Sequence, residues 1–462
     1  MSKVWLGISE GFHDAGVSMI WNGQILSATH AERFSRKKND RWVHPMQYPQ
    51  GINNGYDKIA FYEKPWLKTT RQLWAGQGLK PKRTKYNKSF HHHESHAAAG
   101  FYTSKFDSCN ILVVDAIGEW DTVSVWKAWT KNGVPKMIKL KSYKYPFSVG
   151  LFYSAITKSI KLKPQEDEYI TMGMAAYGEP IYTDELKEIM LYKNCHKGIP
   201  KWQYAKDEDI AASAQKVVED FIIEMVKDYC PHENLIMMGG VALNCVANTK
   251  VAELGKNIWI MPNPGDCGSS LGAAALGYGK KLIWEDPYLG TEIKNEVQVK
   301  SVVKHLIDNS YCGIANGRAE FGPRALGNRS LIADPRRDVK DTVNEIKRRQ
   351  KFRPFAPVIL EEMAEEYFIM HPGWKKSPYM QSVAVCRYPK EYPAIVHADG
   401  TSRVQTVPKD GSGIRELLEK WFVMTGCPML LNTSLNIRGE PMLNDRADAD
   451  RFEKLYNVKV CS

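Results

Sequence analysis

The sequence predicts an α/β chain whose first part is internally duplicated and whose last third forms a separate α/β unit. Two stretches predict the duplication. VWLGIS, EGFHDAG and VSMIW near the start, and NILVVDAIGEWDTVSVWKAW at 110–129, are each an apolar strand that enters an acidic, Gly-containing turn and returns as a second strand. The boundary is expected near 283–297, which is polar and carries Pro287 and Gly290. This gives units 1–285 and 286–462. At ~150 residues per domain, 462 residues suggest about three domains, and two larger ones fit as well.

Taken in order, 4–30 reads as strands joined by polar turns. RFSRKKNDR at 33–41 is a basic stretch, 43–57 a loop poor in aliphatics, and KPKRTKYNK at 80–88 a second basic segment. HHHESHAAAGFYTS has the small residues of a packed helix. IAASAQKVVEDFIIEMVKD at 210–228 has helical apolar spacing. LIMMGGVALNCVAN and NIWIMPNPGDCGSSLGAAALGYG are each a strand, a Gly turn and a helix. In the last third, VKDTVNEIKRRQKF predicts a helix, FAPVIL a strand, and LLEKWFVMTGCPMLLNTS a helix leading into a strand.

Composition is 43% hydrophobic and 25% charged, which argues against a disordered chain. The net charge of +11 is compatible with anionic partners without requiring them. No apolar run approaches the ~20 residues of a membrane span, and the start lacks the pattern of a secretory signal. Nine cysteines occur singly with no CxxC pair, so reduced, mostly buried thiols in a cytosol-like compartment are expected.

Chemistry is suggested at several places. His92 and His96 lie four apart, on one face of a helix, a metal-ligand spacing; a surface polar cluster is the other reading. Asp115 and Asp266 each follow a predicted strand at a Gly turn, where they could complete an N/O site for Fe, Mn or Mg. Four Gly turns after apolar strands offer backbone N–H groups to phosphate, although neither GxxxxGK[ST] nor GxGxxG is present. His13 could exchange a proton near neutrality or simply bond within its own turn, beside Asp14. The last third places Arg318, Arg324, Arg329, Lys347, Arg349, Arg353, Arg403 and Arg438 beside Phe, Pro and Gly. This suggests part-buried guanidinium groups that need a carboxylate or phosphate partner. Internal ion pairs, for example with Glu320 or Asp399, are the alternative.

Ten ordered segments resemble the O-carbamoyltransferases of the nodulation and antibiotic-biosynthesis type. They are FHDAG with AERFSRKK, HHESHAAAGFY, VVDAIGEWDT, MGMAAYG, GGVALN, GDCGSSLGAA, GRAEFGPRALGNRSLIADPR, FRPFAPVIL, HADGTSRVQTV and NTSLNIRGEP. The resemblance implies a duplicated actin/sugar-kinase-like first domain, similar to that of the tRNA threonylcarbamoyl transferases, and a second, adenylate-forming domain. It also implies a reaction. ATP and carbamoyl phosphate give carbamoyl-adenylate and pyrophosphate, and the carbamoyl group then moves to a substrate hydroxyl. Carried onto this chain, it makes His92, His96, Asp115 and Asp266 the ligands of a divalent metal, Fe2+ ahead of Mn2+ or Mg2+. Asp115, Gly118, Gly239, Gly240 and Asn244 would contact nucleotide. Arg318, Arg324, Lys347, Arg353, Arg403, Asn432, Ser434 and Arg438 would hold carbamoyl phosphate. His13, with Asp14, would be the base, and Arg324, Lys347 and Arg353 would assist adenylate formation.

The sequence departs from the family pattern at Ile170, where a Lys is usual, at Gln350, where an acid is usual, and at Leu435, where Phe is usual. The two basic segments, interleaved with Trp42, Trp66, Trp74 and Tyr86, suggest phosphate contacts with base stacking. The compact form also looks like phage-encoded relatives that modify 5-hydroxymethylcytosine. DNA is therefore the expected acceptor, in the cytoplasm of a bacterial or phage-infected cell, with a small sugar or antibiotic-like hydroxyl as the alternative. A homodimer is compatible with these features. An actin-like small-molecule kinase, or a non-catalytic ATP- or nucleic-acid-binding module, would use the same Gly turns but leave the His pair and the Arg set unexplained.

Overall fold

The computed structural model describes residues 3–48, 56–76, 85–200, 202, 204–294, 297–351, 353–411 and 413–462. The chain forms two compact units, one of Met1–Ala31 with Asn39–Glu285, the other of Glu32–Lys38 with Asp286–Ser462.

The first unit contains strands β1 (Val4–Ser9), β2 (Gly16–Trp21), β3 (Gln24–His30), β4 (Lys58–Phe61), β5 (Lys88–Ser89), β6 (Ser108–Gly118), β7 (Asp121–Lys131), β8 (Val134–Lys144), β9 (Asn234–Met238) and β10 (Asn257–Trp259). They make two five-stranded sheets, β3-β2-β1-β4-β5 and β10-β9-β6-β7-β8. Read from their outer hairpin strands, the two orders are the same. In each, the first strand pairs antiparallel with the second and parallel with the fourth. The duplication expected from the two strand–turn–strand stretches is thus present in the topology.

After α1 (Ala31–Ser35) come α2 (Pro65–Trp74), α3 (His92–Thr103), α4 (Val149–Ser159), α5 (Glu168–Met174), α6 (Thr183–Tyr192), α7 (Asp207–Tyr229), α8 (Cys245–Ala252) and α9 (Ser269–Tyr278). Helices α3 and α9 carry runs of Ala and Gly because they approach closely. A Cβ added to Gly272 would lie 1.8 Å from the Ser95 carbonyl oxygen. Ala97, Ala98, Ala99, Ala273, Ala274 and Ala275 are all fully buried.

The second unit contains β11 (Tyr288–Ile293), α10 (Val299–Asn309), β12 (Tyr311–Ala315), β13 (Gly317–Glu320), β14 (Arg329–Ala333), α11 (Lys340–Ile346), β15 (Ala356–Leu360), α12 (Ala364–Tyr367), β16 (Phe368–Ile369), β17 (Ala384–Cys386), β18 (Thr401–Ser402), β19 (Gln405–Val407), α13 (Arg415–Thr425), β20 (Met429–Ser434), α14 (Arg446–Tyr456) and β21 (Val460–Cys461). Its main sheet has the order β19-β15-β20-β14-β12-β21. Alternate residues of the inner strands face opposite cores, as the strand period of two requires. Leu331, Ile359 and Leu431 pack with Val343 of α11 and Phe452 of α14. Ile332, Val358 and Leu430 pack with Leu306 of α10 and Trp421 of α13.

The two units divide between Glu285 and Asp286, and the stretch near 283–297 contains β11, which pairs with β13. The helix expected over 339–352 ends at Ile346; Arg348 takes a left-handed φ of +52, and Phe352 lies outside the described residues. In the basic stretch 33–41, Lys37, Lys38 and Arg41 are exposed, whereas two arginines bond within the second unit. Arg33 is buried and donates to the carbonyls of Leu443 and Gly322, and Arg36 donates to those of Met442 and Pro441 and pairs with Asp448. Of the other basic segment, 80–84 lies outside the described residues, as does 49–55 of the expected loop. Among the described residues, all nine cysteines are free thiols and no helix is long and apolar enough to cross a membrane.

Candidate metal centre and anion site

Helix α3 begins where Glu119, in the β6–β7 turn, accepts hydrogen bonds from the backbone N–H of His92 and of Lys64, and pairs with the His91 ring. The three adjacent histidines then diverge. His91 is exposed, His92 points inward, and His93 bonds to Ser124 Oγ at 2.7 Å. One turn on, the His96 ring lies 4.8 Å from that of His92, tilted by 59°.

Asp115 lies within β6, where the register against β7 shifts between Val114 and Gly118. Asp266 opens the short 3-10 turn Asp266–Gly268 that precedes α9. Together these elements bring His92, His96, Asp115 and Asp266 into one buried cluster whose ligand atoms all lie within 4.8 Å of one another. His92 Nε2 is 3.0 Å from Asp115 Oδ2 and 3.3 Å from Asp266 Oδ1, and His96 Nε2 is 3.3 Å from Asp266 Oδ1.

The donor chemistry fits a divalent cation. His96 Nδ1 lies 3.0 Å from the Pro264 carbonyl, which can only accept, so the proton sits on Nδ1 and Nε2 presents a lone pair to the cluster. His92 Nε2 faces it at 3.1 Å, with two carboxylates alongside. Two imidazole nitrogens and two carboxylate oxygens suit Fe, Mn or a similar ion.

Without a cation, a proton takes that role. Burial pushes the His92 pKa down, but Asp266 and Asp115 outweigh it and hold it well above the usual value. Burial pushes Asp115 up, but hydrogen bonds from His92 and His96 hold it well below the usual carboxylate range. Asp266 is lowered as well, with His92 the main opponent of burial. His93, buried beside His92, is held well below its usual value.

The other expected residues of this unit lie around the cluster. Gly118 has no room for a side chain, because a Cβ there would come 2.3 Å from the His92 ring. The Gly240 N–H donates to Asp115 Oδ1 at 3.1 Å, and the Gly239 N–H donates to the Pro264 carbonyl. Asn244 caps α8 by accepting from the Ala247 N–H, and its amide also bonds Gln215. His13 Nδ1 is 3.1 Å from Asp14 Oδ2. Burial lowers the His13 pKa, but Asp14, Asp266 and Asp115 raise it to about 9.

In the second unit, Lys347 follows α11 and is buried. Its ammonium donates to the Ser434 carbonyl, to the Asn436 carbonyl at 2.8 Å and to Asn436 Oδ1 at 3.0 Å. None of its hydrogen-bonding partners among the described residues is a carboxylate. Burial, then Arg349, Arg353 and Lys38, hold its pKa well below the usual lysine value. Arg403 Nε is buried without a hydrogen-bond partner, and so is Asn432 Oδ1. Asn432 Nδ2 donates to the Ala325 carbonyl and to Gln405.

Arg324 and Arg353 are half-buried. Arg438 is exposed and its backbone N–H bonds the Lys347 carbonyl. Arg318 donates to the carbonyls of Leu289 and Gly290 of β11, and buried Arg329 donates to carbonyls that include those of Asn316, Thr291 and Asn444. These two guanidinium groups therefore hold strands together. Among the described residues, Glu320 makes no ion pair with an arginine side chain of the kind the internal-ion-pair reading had. Its Oε1 accepts the backbone N–H groups of Leu326, Asn328 and Arg329.

Sequence reasoning missed Glu63 and Glu119, and it considered Glu320 only as a partner for an arginine. Glu119 stands inside a motif already noted, and its positive φ of +57 at a non-glycine residue marks a constrained turn. Glu63 has no motif around it.

The two units define an enzyme class by their relatives. Residues 303–460 match the family Carbamoyltransferase C-terminus, and residues 53–201 and 192–275 match Carbamoyltransferase N-terminus. An uncharacterized protein of Synechocystis is 33% identical over 96% of this chain and 93% of its own. Nodulation protein NolNO of Sinorhizobium fredii is 29% identical over 95% of this chain and 76% of its own, and nodulation protein NolO of Bradyrhizobium diazoefficiens is 31% identical over 78% and 75%. Among solved structures the likeness is distant; component A of the Acidaminococcus fermentans (R)-2-hydroxyglutaryl-CoA dehydratase gives 15% identity and a TM-score of 0.36 over 60% of this chain and 98% of that one. The chain belongs to the carbamoyltransferase family. It is an enzyme that transfers a carbamoyl group.

Proposed function

We propose that the chain is an ATP-dependent O-carbamoyltransferase in which water releases phosphate from carbamoyl phosphate to give carbamate, the carbamate oxygen displaces pyrophosphate from ATP to give carbamoyl-adenylate, and the carbamoyl group then passes to a hydroxyl with release of AMP. The observation that carries this reading is Lys347, a buried ammonium surrounded by Arg349, Arg353 and Lys38, with carbonyl, amide and hydroxyl partners and no carboxylate among them. Such a set is completed by an external anion. Carbamoyl phosphate is a small dianion of the right chemistry. Lys347, Arg353, Arg403, Arg324 and Arg438 would bind it, Asn432 and Ser434 would orient it, and the positive charge would be in place where negative charge develops.

In the first unit, His92, His96, Asp115 and Asp266 would hold the metal, which when bound supplies a Lewis acid for phosphate oxygens. Backbone N–H groups near Gly118, Gly239 and Gly240 would meet the nucleotide. His13, held by Asp14, would accept the acceptor's hydroxyl proton.

The acceptor is proposed only as a hydroxyl compound. The phosphate-contact argument for hydroxymethylated DNA loses Arg33 and Arg36, which bond within the second unit, and Tyr86, which stacks on Phe61 at 5.3 Å. It retains exposed Trp66 and Trp74 and exposed basic residues such as Lys37, Arg41 and Lys85.

The half-reactions can be separated. Lys347→Met and Arg353→Ala should each reduce carbamoyl phosphate-dependent pyrophosphate release at least tenfold, since an unpartnered phosphate oxygen costs roughly 1.5–3 kcal/mol. His92→Ala with His96→Ala should abolish carbamoyl transfer and retain that release. Incubation with sugars, aminoglycosides and hydroxymethylated DNA, followed by mass spectrometry, assigns the acceptor. Pyrophosphate release unchanged in both cation variants would refute the reading.

A further inference from the structure

Beyond its four ligand side chains, the cluster has an unsatisfied atom. His92 Nδ1 is buried and has no hydrogen-bond partner. If Nε2 is to offer a lone pair to an ion, the ring proton must sit on Nδ1 and needs an acceptor there. The Glu63 carboxylate is placed to provide it. Its Oε2 lies 4.0 Å from His92 Nδ1, and its Oε1 accepts from Lys68 Nζ at 2.8 Å.

The segment carrying Glu63 is fixed on both sides. Before it, the Tyr62 N–H donates to the Ile8 carbonyl of β1, and the Tyr62 carbonyl accepts from Ser95 Oγ, one residue before His96. After it, the Lys64 N–H donates to Glu119, the same carboxylate that receives the His92 N–H. Glu63 and α3 are thus tied to each other by backbone contacts that do not involve the His92 ring. The Tyr62 ring lies 5.1 Å from the His92 ring, on the same side.

We propose that Glu63 is a positioning residue for the metal centre, accepting the Nδ1–H of His92 so that Nε2 faces the ion, with Lys68 compensating its charge. A closing movement of about 1 Å brings the 4.0 Å separation into hydrogen-bond range. This rests on the reading of the four residues as a metal centre. A carboxylate behind a metal-bound imidazole fixes the ring's tautomer and orientation and raises its basicity.

The test uses the full chain, freed of metal, with Co2+ as the probe. Wild type should take up one equivalent with a visible absorption band, and His96→Ala should lose it. Glu63→Gln should weaken Co2+ binding about 10-fold and Glu63→Ala by 10- to about 100-fold, with faster Co2+ release and a shifted band. Glu63→Asp keeps a charge for Lys68 but draws the carboxylate away from His92; it should behave like Glu63→Gln, and it serves where Glu63→Ala does not fold. Melting of the metal-free proteins checks folding. Affinity within about twofold of wild type and an unchanged band, in variants that melt normally, would overturn the role of Glu63 and leave the metal centre standing. Equal Co2+ binding by wild type and His96→Ala would overturn the metal centre itself and this inference with it.

Discussion

Charge decides what each histidine beside the cluster can do. His13 is the clearest case, because the acids that raise its pKa to about 9 include Asp115 and Asp266, which would face the ion. Its raised folded-state value means that the cationic form contributes stability fully below its ordinary pKa of 6.5, a contribution lost as pH rises through about 9. A bound cation cancels the field of those two carboxylates. The His13 proton resonance should therefore titrate near 9 in metal-free protein and at a lower pH in metal-loaded protein; equal midpoints would show that no cation occupies the cluster. Gly118 offers a steric counterpart. Gly118→Ala places a Cβ 2.3 Å from the buried His92 ring, so the ring must shift. The variant should fold but lose bound metal and carbamoyl transfer, and metal content by elemental analysis checks this.

At the level of elements, the loop 321–328 depends on one carboxylate. Glu320 Oε1 gathers three backbone N–H groups, two from this loop and one from Arg329 at the start of β14, and the loop carries Arg324. Glu320→Ala leaves these buried donors without a partner. It should lower unfolding free energy by roughly 3 kcal/mol or more and slow adenylate formation, read by urea unfolding and pyrophosphate release; an unchanged midpoint would contradict it. The same scale shows what the sequence could and could not reveal. The β1–β2 and β6–β7 hairpins, and the helix bearing His92 and His96, were legible because local periodicity and turn residues dictate them. The early end of α11 was not. It depends on Lys347 reaching Ser434 and Asn436, nearly ninety residues away, at 87 and 89 positions' separation. The fate of Arg33 and Arg36 was hidden for the same reason, since the carbonyls of Gly322, Pro441, Met442 and Leu443 that they reach lie at separations of 289–410. A basic run looks alike in sequence whether it meets water or carbonyls.

Across the molecule, each unit carries a candidate site, and the proposed two-step reaction needs a metal centre and an anion site in one chain. Metal removal should therefore act unevenly. Chelation should lower the melting temperature, because an ion bound only by the folded state stabilises it, and should stop carbamoyl transfer while leaving adenylate formation. The most direct measurement of the central claim is 31P NMR of the full-length enzyme with ATP, with and without carbamoyl phosphate. AMP and pyrophosphate that appear only with carbamoyl phosphate, and not in Lys347→Met, are the predicted result. Conversion of ATP to ADP with no pyrophosphate, at the same rate in Lys347→Met, would contradict it.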